Sequence, residues 1–177
     1  MCILRKGKVL SLCQFLRKFL IQKSGMYDSV KMGEYLAAYA VSKGYFMNQT
    51  KLQKLLYILY GAYLTQHEEV LVNEQPEAWP YGPVFPRVQK KFAKVANLAY
   101  ADITNPEYES IRNNQRLHSL IEDVLQTFGE WTAHALSEWS HRQGSPWAIA
   151  LANNGMRYSA VISSESIKEY FKTFMNL

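Results

Sequence analysis

Residues 50–64 read TKLQKLLYILYGAYL, and their spacing predicts the central helix of the fold. Along one side of a helix over about 51–66, apolar side chains recur every three or four residues, at Leu52, Leu55, Leu56, Leu59, Tyr60 and Tyr63. The remaining circumference is largely covered by Tyr57, Ile58 and Ala62. A helix that is apolar almost all round packs against neighbours on several sides. We therefore expect this helix to lie at the centre of the domain.

Helical spacing on both sides of this stretch predicts a bundle of six or seven helices. For the central helix, Thr50 and Gln53 have the spacing of a capping box. Further helices are expected at about 28–43, 84–95, 114–128, 130–141, 145–151 and from Ser163 onward, and the polar residues 96–113 are expected to form a long surface loop. Sandwich, barrel and doubly wound folds need more strands than this pattern offers. The sequence predicts a mainly α, compact single-domain bundle.

Residues 70–83 interrupt the helical pattern. Val70-Leu71-Val72 is a short β-prone run, and the stretch EAWPYGPV follows it at 77–84. Two aromatic residues, two prolines and a glycine fall within residues 77–83. Because proline is not accommodated inside a regular element, we expect one short β-hairpin or ordered turn near 70–83.

The positive charge of the chain is concentrated in its first 25 residues. The 177 residues have a formal net charge of +5, which by itself indicates a nucleic-acid or membrane partner. Residues 1–25 carry six Lys and Arg and no acid, whereas the rest carries 14 basic and 15 acidic side chains. We therefore divide the chain into a basic N-terminal extension, 1–25, and a helical domain, 26–177, and hypothesise that the functional protein begins at Met26. The alternative is an extension that docks on the body, on a partner or on an anionic membrane.

Several classes of function are disfavoured by what the sequence lacks. Both cysteines, Cys2 and Cys13, lie in the extension, so neither a disulfide framework nor a thiolate zinc site is expected in the domain. No apolar run approaches the roughly 18 residues of a membrane span, and no signal-peptide cleavage site follows the first apolar run. Dinucleotide and P-loop motifs are absent from the sequence. We expect a cytoplasmic protein without a cofactor.

Two groups of side chains are candidate sites on chemical grounds. His134, Glu138 and His141 share one predicted helix at spacings that allow a metal site, which indicates a metal-dependent enzyme as one alternative. The one basic cluster of the domain consists of Arg87, Lys90, Lys91 and Lys94. It is a candidate partner surface, and as a DNA contact it indicates a second alternative, a regulator of its own operon.

Two aromatic turns carry the most specific signal. One is Glu77 with the turn 79–84, and the other reads SHRQGSPW at 140–147. With the Leu-rich helix, in this order and spacing over about 28–150, they resemble the Panacea domain, the SocA-like family of phage-associated antitoxins. The matching residues are Lys51, Leu52, Lys54, Leu55, Tyr57, Gly61, Glu77, Trp79, Tyr81, Gly82, Pro83, Val84, His141, Ser145, Pro146 and Trp147.

The resemblance implies a helical domain encoded beside a toxin gene in a prophage or other mobile element. Members of the family neutralise diverse toxins, usually by direct binding, and one SocA-type member delivers its toxin to an AAA+ protease. Since neither activity needs a catalytic residue, we expect a non-enzymatic antitoxin. We expect Trp79, Tyr81 and Trp147 to stabilise the fold by packing. Partner contacts are expected from the extension, from residues 96–113 and from the basic cluster.

Overall fold

A computed structural model of the chain describes residues 26–95, 98 and 101–175. Within them the chain forms eight α-helices and one small antiparallel sheet. The helices are α1 (Ser29–Ser42), α2 (Gln49–His67), α3 (Pro86–Phe92), α4 (Glu109–Arg112), α5 (Gln115–Phe128), α6 (Ala133–Ser140), α7 (Pro146–Asn153) and α8 (Ser164–Met175). The strands are β1 (Glu77–Trp79), β2 (Gly82–Val84) and β3 (Ala160–Val161). The predicted mainly α fold is confirmed, whereas the division at Met26 concerns an extension outside the described residues and stays a prediction.

Helix α2 is the centre of the bundle, as its sequence predicts. Every residue from 51 to 64 is buried, and α2 packs against α1, α3, α5, α6, α8 and β2. Gly61 lies against the ring of Phe171, where an added Cβ would collide with the ring. Helix α8 therefore crosses α2 at a point where only glycine fits, which explains a motif glycine by packing.

Short polar side chains begin the helices at the positions that the sequence indicates. Asp28 caps α1, Asn114 caps α5 and Ser145 caps α7, each accepting a hydrogen bond from a backbone N–H of the first turn. The capping box of Thr50 and Gln53 is wrong, because Asn48 caps α2 by accepting from the Lys51 N–H at 2.9 Å. Gln53 is thereby left for another partner.

The expected long loop over 96–113 is partly helical in the structure. A 3₁₀ turn covers Pro106–Tyr108 and leads into α4. Tyr108 and Ile111 are each only 2% exposed, and the Tyr108 hydroxyl donates to Glu34 Oε2 at 3.0 Å. Burial of these two side chains stabilises a short helix in a segment whose polar composition predicts a loop.

The predicted hairpin is present and belongs to a three-stranded sheet in the order β2-β1-β3. Trp79 pairs with Gly82 across the turn, and Glu77 pairs with Val161 on the other side of β1. Pro83 is tolerated because β2 is an edge strand. Like α4, the two-residue strand β3 is an element that the sequence does not predict.

Candidate functional site

The three stretches of the sequence motif meet in one cluster. Lys54 of α2 extends beneath the hairpin, where its Nζ donates to the backbone oxygen of Pro83 at 2.9 Å. At the end of α6, Ser140 approaches Gly82 of the same hairpin, and His141 follows it. We call Lys54, Gly82, His141, Trp79 and Trp147 the motif cluster. Residues separated by about 90 positions in the chain therefore form one site.

Gly82 is the residue that allows this close approach. Its φ of +103° lies in the region that favours glycine. A Cβ at this position would lie 2.5 Å from Ser140 Oγ and 2.7 Å from Lys54 Cε. Backbone conformation and space thus both require glycine, and the turn of the hairpin closes over the lysine amine.

Lys54 is buried without a carboxylate partner among the described residues. Its side chain is 1% exposed, and burial lowers its pKa to about 7. Burial, and after it the charge of Lys54, also lowers the pKa of His141. The Nε2 atom of His141 is buried without a hydrogen-bond partner among the described residues. Two basic groups are therefore held in a place that favours their uncharged forms.

The tryptophans join the hairpin to α7. Trp147 Nε1 donates to the backbone oxygen of Trp79 at 2.8 Å, and Trp79 Nε1 donates to Glu77 Oε2 at 2.9 Å. The ring of His141 lies against Trp147 with centroids 4.0 Å apart. Ser145 is buried and caps α7 through the Ala148 N–H. The two indole N–H groups and the Ser145 hydroxyl therefore form their hydrogen bonds within the domain.

Gln53 belongs to this site although the sequence assigns it only to a cap. Its Oε1 accepts from the Phe85 N–H at 2.8 Å, and it is 1% exposed. The side-chain amide thus holds the backbone that follows β2, much as Lys54 holds Pro83. The available signal was a polar residue within a helix that is apolar on nearly every side.

The remaining motif residues of α2 serve the core. Leu52 and Leu55 are fully buried, and Lys51 Nζ donates to the backbone oxygen of Gly129. Tyr57 is 1% exposed, and burial raises the pKa of its hydroxyl. These positions fix α2 against the helices around it.

Tyr81 departs from the expectation that it packs. Its side chain is 75% exposed at the tip of the hairpin, although its backbone oxygen accepts from the Ser137 hydroxyl at 3.3 Å. The expected packing role is therefore wrong for Tyr81. The neighbouring Val84 and Pro83 are buried, as befits the side of the hairpin that faces α2.

The basic cluster is partly used by the domain itself. Arg87 Nη2 lies 2.6 Å from Asp28 Oδ2, and Lys91 Nζ lies 3.0 Å from Glu34 Oε1. Lys90 and Lys94 are exposed on the same helix and just beyond it. Since two of the four cations form ion pairs within the domain, this face presents less positive charge to a DNA backbone than its composition indicates.

The three residues of the metal alternative are not brought together. His134 Nε2 lies 3.5 Å from Glu138 Oε1, and the two side chains are 83% and 68% exposed. His141 follows the end of α6 and packs on Trp147. Among the described residues, no group of three His, Cys, Asp or Glu side chains has a metal-binding arrangement.

None of the helices described here combines the length and the apolar character needed to cross a bilayer.

Comparison with known proteins identifies the class to which this fold and motif cluster belong. The model of the SocA-like antitoxin family, the Panacea domain, matches residues 52–148, which contain the whole motif cluster. The chain belongs to this family, whose members are antitoxin-type proteins. Among known proteins, it is similar to Antitoxin SocA of Caulobacter vibrioides (strain NA1000 / CB15N). The two are 34% identical over 131 residues, which cover 68% of this chain and 70% of the relative. No solved structure matches the chain significantly.

Proposed function

We propose that this chain is a non-enzymatic antitoxin that acts in the cytoplasm on a toxin protein encoded beside it. The observation that carries the proposal is the extended similarity to Antitoxin SocA. The motif cluster agrees with it, because the indole N–H groups and the Ser145 hydroxyl bond within the domain rather than towards a substrate. In this proposal the motif maintains the fold, and the chain neutralises the toxin by binding it.

Two routes to neutralisation are compatible with such a protein. In the first, the chain binds the toxin and covers the surface that the toxin needs. In the second, it binds the toxin and carries it to an AAA+ protease. Both routes require a direct complex between the two proteins, and they differ in whether the toxin persists once it is bound.

Co-expression with the neighbouring toxin-like gene tests the proposal. We expect growth to be restored when this chain is present, and a stoichiometric complex to be recovered by affinity purification. Toxin levels separate the two routes, because direct neutralisation leaves the toxin intact and delivery removes it unless the protease is absent. Persistent growth arrest together with the absence of a complex would contradict the proposed function.

A further inference from the structure

Exposed apolar side chains concentrate in the segment that joins α7 to β3. Of the nine large hydrophobic residues exposed in the described part of the chain, four lie within residues 149–161. Ile149 is 42%, Met156 69%, Tyr158 54% and Val161 55% exposed. We call these four residues, with the edge of β3, the α7–β3 surface. A concentration of exposed apolar residues is typical of protein interaction sites.

One edge of strand β3 has no neighbouring strand among the described residues. Strand β3 is the last strand in the order β2-β1-β3. The N–H of Ile162 donates to the Pro76 oxygen, and Ala160 is paired with Ala78, so these two residues direct their backbone groups towards β1. Because backbone groups alternate in direction along an antiparallel strand, the N–H and C=O of Val161 point away from the sheet. An extended chain can pair with them.

The connection before β3 contains two residues in a strained backbone conformation. Met156 and Ser159 have positive φ angles of 62° and 65°, a conformation that few residues other than glycine adopt. The Met156 N–H donates to Leu151 O at 2.8 Å, and Asn154 Nδ2 donates to Arg157 O at 3.0 Å. Such strain persists where the surrounding structure enforces it, and it clusters at functional segments. Here it presents Met156 and Tyr158 to solvent.

A groove lies beside this edge of β3. It encloses about 260 Å³ and is lined by Ile149 of α7, Val161 of β3 and Ser166 of α8 among others. The hydroxyl of Ser166 is buried and has no hydrogen-bond partner among the described residues. The exposed surface of the groove is more polar than apolar, and Asn153 and Asn154 also line it.

Charge indicates the chemistry of the segment that fits. Between Ser145 and Ser164, Arg157 is the one charged side chain. Arg157 is exposed and forms no ion pair with any described residue. A partner segment that places a carboxylate opposite Arg157 and apolar side chains against Met156 and Tyr158 complements the charge and the exposed apolar residues of this surface.

We propose that the α7–β3 surface binds an extended segment of the toxin, which pairs with Val161 as an added strand, packs apolar side chains against Met156 and Tyr158 and places an acidic residue against Arg157. Addition of a strand to a sheet edge is a recurring mode of peptide recognition, in which backbone hydrogen bonds give affinity and the pockets beside them give specificity. This inference rests on the proposed function, because the toxin is the partner.

The test measures the affinity of the full chain for the protein encoded by the adjacent gene. Tyr158→Glu and Arg157→Glu change exposed side chains and are expected to weaken binding at least about tenfold, as at an interface hot spot. Val161→Pro removes the outward N–H without removing a bond to β1 and is expected to act in the same direction. Hydrogen exchange of the Val161 amide should slow on complex formation, because the Val161 N–H then donates a hydrogen bond to a carbonyl oxygen of the added strand.

The control is Phe46→Glu, which replaces a side chain that is 73% exposed in the α1–α2 connection. It is expected to leave the affinity within about twofold, as for a surface residue outside an interface. Unchanged affinity in Tyr158→Glu and Arg157→Glu, with unchanged exchange at Val161, would overturn the inference alone. A wild-type chain that fails to bind would overturn the proposed function and this inference with it. A homodimer that Arg157→Glu disrupts would assign the surface to a second copy and contradict the toxin as its occupant.

Discussion

The motif cluster and the α7–β3 surface differ in where their side chains point. In the motif cluster, Lys54 and the two indoles turn inward and bond to backbone or side-chain oxygens of the domain. On the α7–β3 surface, Met156 and Tyr158 turn outward and have no such role. The most recognisable residues of this sequence therefore maintain the fold, whereas the residues suited to a partner carry almost no sequence signature.

The largest effect on stability is expected at Gly82. We expect Gly82→Ala to destabilise the domain by about 3 kcal/mol, because the added Cβ meets Ser140 and Lys54 in a left-handed backbone. Urea unfolding followed by tryptophan fluorescence measures the loss. The matched control is Gly144→Ala, where φ is also positive, at +77°, but an added Cβ would meet no atom within 4 Å apart from its chain neighbours. There we expect a loss of about 1 kcal/mol in the free energy of unfolding. Equal losses of stability in the two variants would show that the hairpin is not packed tightly against Lys54.

A change of opposite sign is expected at Lys54. Between pH 7 and 10.5 the unfolded chain binds the Lys54 proton and the folded chain does not, so stability rises with pH by about 1.4 kcal/mol per unit from this group. Lys54→Met removes the group and should stabilise the domain at pH 7 by about 2 kcal/mol, after the lost hydrogen bond to Pro83 is allowed for. Unfolding free energies at pH 7, 8 and 9 measure both effects. A destabilised variant, or one with the full wild-type slope, would contradict the assignment of a neutral buried amine.

A smaller effect is expected where the motif cluster reaches α7. Trp147→Phe keeps a ring against His141 but leaves the Trp79 oxygen without its donor. We expect a loss of about 1 kcal/mol in the free energy of unfolding. No loss in Trp147→Phe would show that this hydrogen bond does not stabilise the hairpin.

The α7–β3 surface should be nearly silent in the same measurement. Tyr158→Glu is expected to change the free energy of unfolding by no more than about 0.5 kcal/mol, because the side chain is exposed. Urea unfolding of this variant beside Gly82→Ala sharpens the contrast between a region that maintains the fold and one that does not. A large loss would place Tyr158 in the packing of the domain and weaken its assignment to a partner.

The features that sequence predicts well here depend on local chemistry. Asp28, Asn114 and Ser145 cap helices because each is a short acceptor before an apolar periodic segment. The centre of the bundle follows from a helix that is apolar all round, and the hairpin follows from its prolines and Gly82. Such signals need only neighbours in the chain.

The features that sequence misses depend on distant partners. Strand β3 has two residues and exists because β1 lies beside it, and α4 exists because Ile111 is buried on the bundle. The family resemblance picks out Lys54, but its burial depends on the hairpin that covers it. Asn48 and Thr50 are both suitable caps, and position in the fold decides between them. The groove beside Val161 is formed by three consecutive elements, and it depends on how α7, β3 and α8 pack rather than on a pattern within any one of them.

The most direct measurement compares the two candidate partner surfaces. The dissociation constant for the protein encoded by the adjacent gene is measured with the double variant Arg157→Glu and Tyr158→Glu, and with the double variant Lys90→Glu and Lys94→Glu. We predict that the first weakens binding at least about tenfold and that the second stays within about twofold. The reverse order would assign the toxin to the basic cluster and contradict the α7–β3 surface as the site of neutralisation.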